Sequence, residues 1–302
     1  MYQINMRTFN PDRIVSGQSS LSRLVHGLDR LPPAFWLALL GAALWPHMFW
    51  MMRRMQDGSD DPLGVVALAA LVLLGGRHRR HLRRSPVPAW FAAALVLALL
   101  ATMSWQTLPP LVSSLFALLA FAAGMLALLP APVAAAPVLG LALLSLPLMA
   151  SLQFYAGYPL RVLVAELSRW LLRVGHLVER EGAVLWVDGQ QILVDAACSG
   201  VQLVWFSYFA ACATALLAQR SNASFLTRLP VVGLLALLGN VLRNTVLVAA
   251  QADGKALPHW AHEGIGLLAL AVVCAVIVWW MQKPVFRREP HSRPVAHPQQ
   301  EV

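Results

Sequence analysis

Three residues in the second half of the chain have side chains that could share one reaction. Cys198 stands immediately before a long apolar run, Arg243 lies inside the next run, and His262 begins the last. A thiolate is a nucleophile, and the pKa of a thiol falls at a helix N-terminus or beside a cation. A histidine can accept the thiol proton or return it to a leaving amine. These residue types together favour covalent catalysis by a thiol.

Two small residues follow the candidate nucleophile. Ser199 and Gly200 would let a substrate backbone approach closely, and unpaired N–H groups at the start of the next helix could bind an oxyanion. Taken alone, Cys198 is more readily interpreted as an inert interfacial cysteine, because structural cysteine is common.

Arg243 is the stronger anomaly, because it lies roughly 10 Å below the outer end of an apolar helix at 1.5 Å rise per residue. Placing arginine near the centre of a membrane span costs about 2.5–3.5 kcal/mol on insertion scales. Asn240 and Asn244 are spaced so that both amides share the face of the arginine. Such a polar stripe indicates either a functional site or hydrogen bonds that join helices. A structural arginine that snorkels outward is the alternative.

His262 is not the only histidine near the start of the last span, and the residue that would orient it is left open. A histidine at the end of a span needs no function, since polar residues are expected there, and His259 lies one helical turn earlier. Asp195 could orient His262, but a carboxylate near Cys198 would raise the pKa of the thiol. The role of Asp195 stays open.

The composition is typical of a membrane protein. Of 302 residues, 58% are hydrophobic and 12% are charged, whereas soluble domains carry roughly twice that charged share. The net charge of +9 does not indicate nucleic-acid binding, because it is concentrated in one short loop and in the tail, where arginines orient membrane proteins. Neither a disulfide framework nor a metal-spaced cluster is present, and we expect no cofactor.

The predicted fold is all-α, a polytopic transmembrane bundle of about eight spans. We interpret the first apolar run as a span and not as a removed signal peptide. Residues 63–76 form the shortest run, and Pro137 and Pro147 predict a kink in 136–150. The predicted spans are 34–52, 63–76, 89–103, 111–129, 136–150, 199–218, 229–250 and 264–281.

The arginines also predict the topology. The loop 77–84 carries five arginines and should be cytoplasmic. Counting forward places 151–197 outside, 219–228 inside and the tail after Lys283 inside, with both termini cytoplasmic. The three candidate residues then converge in or near the outer leaflet.

The long outer segment has two patterns of its own. Apolar residues at helical spacing predict an amphipathic helix on the outer membrane face. Residues 183–187 and 190–194 flank Asp188-Gly189, which predicts a β-hairpin with a type I′ turn. The apolar positions of the helix are Leu160, Leu163, Val164, Leu167, Leu171 and Val174.

We therefore expect five regions along the chain. They are a cytoplasmic N-terminal segment (1–33), N-terminal transmembrane helices (34–150), the extracytoplasmic helix and hairpin (151–197), a catalytic transmembrane core (198–282) and a disordered basic cytoplasmic tail (283–302).

Three short motifs resemble the exosortase/archaeosortase family. They are Ala197-Cys198-Ser199-Gly200, Asn240-x-x-Arg243 and His262-Glu263-Gly264-x-Gly266. The resemblance is tight over about residues 182–281, and the earlier spans match only in number and hydropathy. The order, spacing and topology of the motifs make the match specific.

The resemblance implies a membrane cysteine enzyme of the bacterial inner membrane. Its partners would be exported proteins with a C-terminal sorting tail, which consists of a Pro-Glu-Pro-like motif, one transmembrane helix and a basic cluster. Carried over, Cys198 would be the nucleophile, Arg243 the stabiliser of the carbonyl or transition state, and His262 the acid/base. Whether water or an amine resolves the intermediate stays open, as do the sorting motif and the oligomeric state.

Two other functions are compatible with the residues. Intramembrane arginine and asparagine also line transport paths, so the chain could be a transporter or a polysaccharide-export component. It could also be a non-catalytic assembly factor in which Arg243 only joins helices. Both alternatives predict that Cys198 is dispensable.

Overall fold

The computed structural model describes residues 31–58, 60–194, 199–252 and 258–283. The chain divides into two compact units, Met1–Ala150 and Ser151–Val302. Predictions for Asp195, Cys198, the segment before residue 31 and the tail after Lys283 fall outside the described residues.

The first unit is helical throughout its described part. Its most extensive helix packing is around α5 (Pro110–Leu128). This helix packs against α1 (Pro33–Ala43), α2 (Trp45–Gln56), α4 (Pro88–Ser104) and α6 (Ala135–Leu144). Alanine, serine and glycine dominate the buried positions of α5, and such small residues let neighbouring helices approach closely. The helices are α1 (Pro33–Ala43), α2 (Trp45–Gln56), α3 (Leu63–His78), α4 (Pro88–Ser104), α5 (Pro110–Leu128) and α6 (Ala135–Leu144).

Prolines interrupt two of the predicted spans. The run 34–52 is two helices bent by 63° at Leu44. Pro46 explains this bend, because it lacks an N–H and its ring crowds the carbonyl four residues earlier. The run 136–150 likewise breaks after Leu144, and Pro147 lies in the break. The kink predicted for this run is therefore present.

The predicted count of eight spans is not confirmed. Among the described helices, three are long and apolar enough to cross a membrane, or up to five spans result if each bent pair counts as one. Three other predicted spans form helices of 16, 17 and 17 residues. At 1.5 Å per residue these reach roughly 24–26 Å, whereas a bilayer core is about 30 Å thick.

The second unit combines four long helices with a small sheet in its described part. Three of these helices, α8 (Val201–Leu217), α10 (Leu229–Gln251) and α11 (His259–Gln282), all pack against one another. Gly239 of α10 permits one of these contacts, since a Cβ there would lie 2.2 Å from Cγ2 of Val273. The elements are α7 (Met149–Leu172), β1 (Val178–Glu181), β2 (Val184–Val187), β3 (Gln190–Leu193), α8 (Val201–Leu217), α9 (Asn222–Leu226), α10 (Leu229–Gln251) and α11 (His259–Gln282).

The predicted hairpin is confirmed. Strands β2 and β3 pair antiparallel around Asp188 and Gly189, whose φ angles of +48° and +85° are those a type I′ turn requires. The prediction was incomplete, because β1 adds a third strand through a second turn at Gly182, with φ +58°. The charge-rich sequence of β1 hid this strand.

The sheet covers one end of α7 and α10. Its buried side chains Leu185, Val187 and Ile192 form a cluster with Leu172 of α7 and Leu247 of α10. Burying such apolar side chains contributes about 1.5–3 kcal/mol each. The sheet is therefore fixed to the helices that carry the candidate site.

A helix is present where the amphipathic helix was predicted, but its buried face differs from the predicted stripe. Val164 is buried as expected, whereas Leu163 and Leu171 are exposed and Val174 is 92% exposed. The face that packs on protein instead contains Ala165 and small or short residues beside it. The contact of the exposed stripe with a membrane surface stays a prediction. The buried residues of this face are Val164, Ala165, Ser168 and Leu172.

Two arginines bind the C-terminal end of α11, at the end of the second unit opposite to the sheet. Arg228 donates to the carbonyls of Trp280 (2.9 Å), Met281 (2.8 Å) and Lys283 (2.6 Å). Arg220 donates to the carbonyl of Met281 at 3.0 Å. The last carbonyls of a helix have no partner within it, and a cation there also opposes the helix dipole. The loop 219–228 and the end of α11, which were predicted to share one membrane side, thus lie together.

Candidate active site

The start of α8 has an unusual backbone. Gly200 is its N-cap residue, with φ +86°, a left-handed conformation that favours glycine. The preceding Ser199 is 3% exposed, and its hydroxyl accepts a hydrogen bond from the N–H of Val201 at 3.4 Å. The same hydroxyl donates to Oε1 of Gln153 on α7 at 2.9 Å. Residues 199–201 are therefore held by a side chain from another helix.

Asn240 packs directly on this turn. A Cβ on Gly200 would lie 2.5 Å from Nδ2 and 2.7 Å from Cγ of Asn240. Asn240 is itself 2% exposed. Glycine is thus required at position 200 both by its φ angle and by the neighbouring amide.

The predicted polar stripe on α10 reaches three different neighbours. Asn240 contacts the start of α8, whereas Asn244 donates through Nδ2 to Oγ of Ser168 on α7 at 3.2 Å. Ser168 is fully buried and donates onward to the carbonyl of Val241 at 3.4 Å. Because residues advance about 100° around a helix, side chains at i, i+3 and i+4 fan out enough to meet separate elements.

Arg243 extends from this stripe toward α11. A Cβ on Gly266 would lie 3.2 Å from Nη2, 3.3 Å from Nε and 3.4 Å from Cζ of Arg243. The guanidinium is half-buried and lies on a patch of backbone without a side chain. Gly266 therefore makes the space that the arginine occupies.

His262 lies one turn before Gly266 on α11. Four residues correspond to roughly 6 Å of helix rise and to nearly the same face. His262 is half-buried. His259 lies a further turn away, its side chain is 88% exposed, and its Nδ1 is 3.5 Å from Oε1 of Glu263. His262 is thus less exposed than His259 and lies one turn closer to Gly266.

The structure thus brings five of the predicted site residues to one end of the second unit. Ser199, Gly200 and Asn240 form one contact group, and Arg243 borders the turn of α11 that carries His262. Cys198 and Asp195 lie outside the described residues.

Two residues with polar contacts in this region were missed from the sequence. Gln153 is an isolated amide in the apolar first half of α7, and Ser168 lies between the apolar positions of the predicted amphipathic helix. A polar residue on the apolar face of a helix was the available signal for Ser168.

A surface groove of about 640 Å³ lies beside the sheet, lined in part by Arg173, His176 and Trp186. At its edge the His176 ring is 2.6 Å from Oδ2 of Asp188, and the N–H of Leu177 donates to Oδ1 at 2.9 Å. These hydrogen bonds, the one from His176 foremost, hold the pKa of Asp188 below its usual range. Among the described residues, no group of three or more His, Cys, Asp or Glu could hold a metal ion.

Comparison with known proteins identifies the family. The family model described as transmembrane exosortase (Exosortase_EpsH) matches residues 55–280, more than half of the chain. No curated protein and no solved structure matched the chain. The match begins well before residue 182, where the resemblance carried by the motifs began, and it includes Ser199, Arg243 and His262. The chain belongs to the transmembrane exosortase family.

Proposed function

We propose that this chain is a membrane-embedded cysteine peptidase or transpeptidase that cleaves the C-terminal sorting signal of exported proteins. The reaction would take place at the outer face of the bacterial inner membrane, with both chain termini in the cytoplasm. The observation that carries the proposal is the packing of the Arg243 guanidinium on Gly266, one helical turn from His262. A cation and a potential acid/base thereby lie at the end of the unit where the chain leaves Cys198 and enters α8.

Cys198 would act as the nucleophile. Its thiolate attacks the carbonyl carbon of the scissile peptide bond, a C–S bond forms, and the carbonyl oxygen becomes an oxyanion. His262 donates a proton to the leaving amine as the C–N bond breaks, which leaves a thioester on Cys198. Water or an amine then attacks the thioester and releases the thiol. A covalent intermediate divides one difficult step into two easier ones.

Arg243 would stabilise the oxyanion together with N–H groups at the start of α8. A fixed donor aimed at developing charge is worth more in a low-dielectric site than in water, and removing one such donor lowers kcat by about 10²–10³-fold. Asn240 and Asn244 support this role, because their contacts with Gly200 and Ser168 fix the rotation of α10. The substrate tail would present its motif from its own transmembrane helix in the bilayer.

The first test is the loss of the thiol. In cells that express an exported reporter with a Pro-Glu-Pro-like motif, a transmembrane helix and a basic cluster, we expect Cys198→Ala to abolish processing. Cys274→Ala is the matched control, since this half-buried cysteine lies on α11 of the same core. Normal processing by Cys198→Ala would refute the proposal and favour a transporter or an assembly factor.

Arg243→Lys distinguishes a role of the arginine in oxyanion stabilisation from a role in assembly of the helices. Lysine keeps the charge but loses the planar fork of donors, so we expect processing to fall at least tenfold while the protein stays folded. An assembly role predicts lost stability in Arg243→Lys together with an unchanged rate in the folded fraction.

A further inference from the structure

We propose that two arginines of the second unit, Arg220 and Arg228, bind the phosphate of an anionic lipid headgroup at the C-terminal end of α11. Phosphate combines negative charge with several acceptor oxygens, and arginine binds it through a planar fork of donors. The inference goes beyond the proposed function and does not depend on it.

The first observation is that the two guanidinium groups are neighbours. Nε of Arg220 and Nη1 of Arg228 both donate to the carbonyl oxygen of Met281, at 3.0 and 2.8 Å. Two positive charges so close repel each other, and more strongly where water is excluded. Arg228 is buried, so solvent screens its charge poorly. A negative group beside this arginine pair would therefore stabilise it.

The second observation is the lack of acidic residues around the arginine pair. The sequence has no aspartate or glutamate between residues 196 and 252 or between residues 264 and 288. Within the described ranges, neither arginine forms an ion pair with a carboxylate. Buried charges in proteins are normally paired, and the carbonyls at the end of a helix amount to only about half a negative charge. The charge of the pair is therefore not balanced by this part of the chain.

The third observation is the number of donors left for a ligand. A guanidinium has five N–H donors. Arg228 gives three of them to backbone carbonyls, and Arg220 gives two. Capping of α11 thus uses half of the donors of the pair. Arg220 is only partly buried, so its remaining donors can reach a ligand at the surface.

The indole of Trp280 supplies a further donor. Its Nε1 is buried and has no hydrogen-bond partner in the part of the chain that the structure describes. The ring lies beside the arginine pair, with Cζ of Arg228 5.8 Å from its centroid. An unpaired buried donor is unfavourable, and an oxygen of a headgroup would satisfy it. Capping of α11 by arginines does not explain this unpaired N–H.

The surroundings favour a lipid over free phosphate. Tryptophan is enriched where membrane meets water, and the exposed Trp279 lies beside Lys283, whose Nζ is 3.5 Å from the ring centroid. Leu217, three residues before Arg220, is also exposed, so apolar surface for an acyl chain adjoins the cations. The predicted topology puts this end in the cytoplasmic leaflet, whose surface is negative.

The test measures lipid binding by the purified full-length chain in neutral detergent, with bound lipid counted by native mass spectrometry. Phosphatidylglycerol is the probe, and diacylglycerol with the same acyl chains is the lipid without phosphate. Arg220→Gln removes one charge of the pair, and Trp280→Phe keeps a ring but removes the N–H. Arg80→Gln is the matched control, because this exposed arginine lies in the other unit, in a loop predicted on the same membrane side.

We expect wild type to bind phosphatidylglycerol at least tenfold more tightly than diacylglycerol. Arg220→Gln should weaken phosphatidylglycerol binding about tenfold and Trp280→Phe about fivefold, whereas Arg80→Gln should bind like wild type. Equal binding of both lipids, or equal losses in Arg220→Gln and Arg80→Gln, would overturn the inference, because the attraction would then not be specific to this site.

Inorganic phosphate distinguishes the two sources of the anion. Phosphatidylglycerol that stays bound in millimolar phosphate supports a lipid site, whereas its displacement would mean that the site takes the free anion. If Arg220→Gln does not fold, Lys283→Gln replaces it, since the side chain of this lysine packs on tryptophan rings and its loss should weaken phosphatidylglycerol binding about fivefold. Unchanged binding in Lys283→Gln would then contradict the inference. Processing by Cys198→Ala tests the proposed function separately.

Discussion

The Arg243 guanidinium lies where a side chain on Gly266 would be, with Nη2 3.2 Å and Nε 3.3 Å from the position of a Cβ on that glycine. Arg243 of α10 thus approaches the turn of α11 that carries His262 because Gly266 has no side chain. A cation within an apolar bundle requires such space, and the glycine provides it without adding a charge of opposite sign.

Gly266→Ala should displace the guanidinium by a few tenths of an ångström. We expect the processing rate to fall about tenfold, because transition-state stabilisation depends strongly on donor position. Gly264→Ala is the matched control, since nothing lies within 4 Å of a Cβ on that glycine of the same helical turn. Equal rates for both variants would show that the contact does not matter for the reaction.

Gly200→Ala and Gly189→Ala separate backbone strain from a steric clash. The two glycines have nearly the same φ, +86° and +85°, so alanine should cost about 1–2 kcal/mol at each position. A Cβ on Gly200 would lie 2.5 Å from Nδ2 of Asn240, whereas nothing lies within 4 Å of a Cβ on Gly189. We expect lost processing and a lower thermal midpoint in detergent for Gly200→Ala, and a smaller shift with retained processing for Gly189→Ala. Equal losses would mean that Asn240 moves aside freely.

Arg228→Ala should destabilise the end of the second unit opposite the candidate site. Arg228 is 8% exposed and donates to three carbonyls at the end of α11, so its loss should lower the free energy of unfolding by about 1.5–3 kcal/mol. Unfolding in mixed detergent micelles measures this, with exposed Arg80→Ala as the control. The rate of reporter processing by the folded fraction should not change, and a lower rate would indicate that the two ends are coupled.

The Asp188-Gly189 turn between β2 and β3 should respond to acid through Asp188. Its pKa is lowered in the folded chain, so its contribution to stability is present above the unfolded pKa of about 3.9 and is lost as the pH falls through the folded pKa. Hydrogen exchange should therefore show the 176–194 backbone losing protection below about pH 4. Asn also suits a type I′ turn, so Asp188→Asn should keep the hairpin and flatten this dependence. Parallel pH profiles of hydrogen exchange for the wild-type protein and Asp188→Asn would contradict this role of Asp188.

Local features of the fold were predictable because they depend on neighbouring residues. Asp188-Gly189 predicts a turn with two positive φ angles wherever it stands between alternating strands, and Pro147 disrupts a helix by its own chemistry. The anomaly of Arg243 is likewise evident from its apolar surroundings in the chain. Family membership also followed from short motifs, and the match over residues 55–280 confirms it.

The partners of each polar side chain depended on tertiary structure. Asn240, Arg243 and Asn244 share one helix, but the rotation of α10 and the close approach allowed by Gly200 and Gly266 decide that they meet α8, α11 and α7 in turn. Contacts between residues distant in the chain leave no periodic signal along it. Gln153 is the plainest example, because only the packing of α7 beside the start of α8 brings its amide to Ser199.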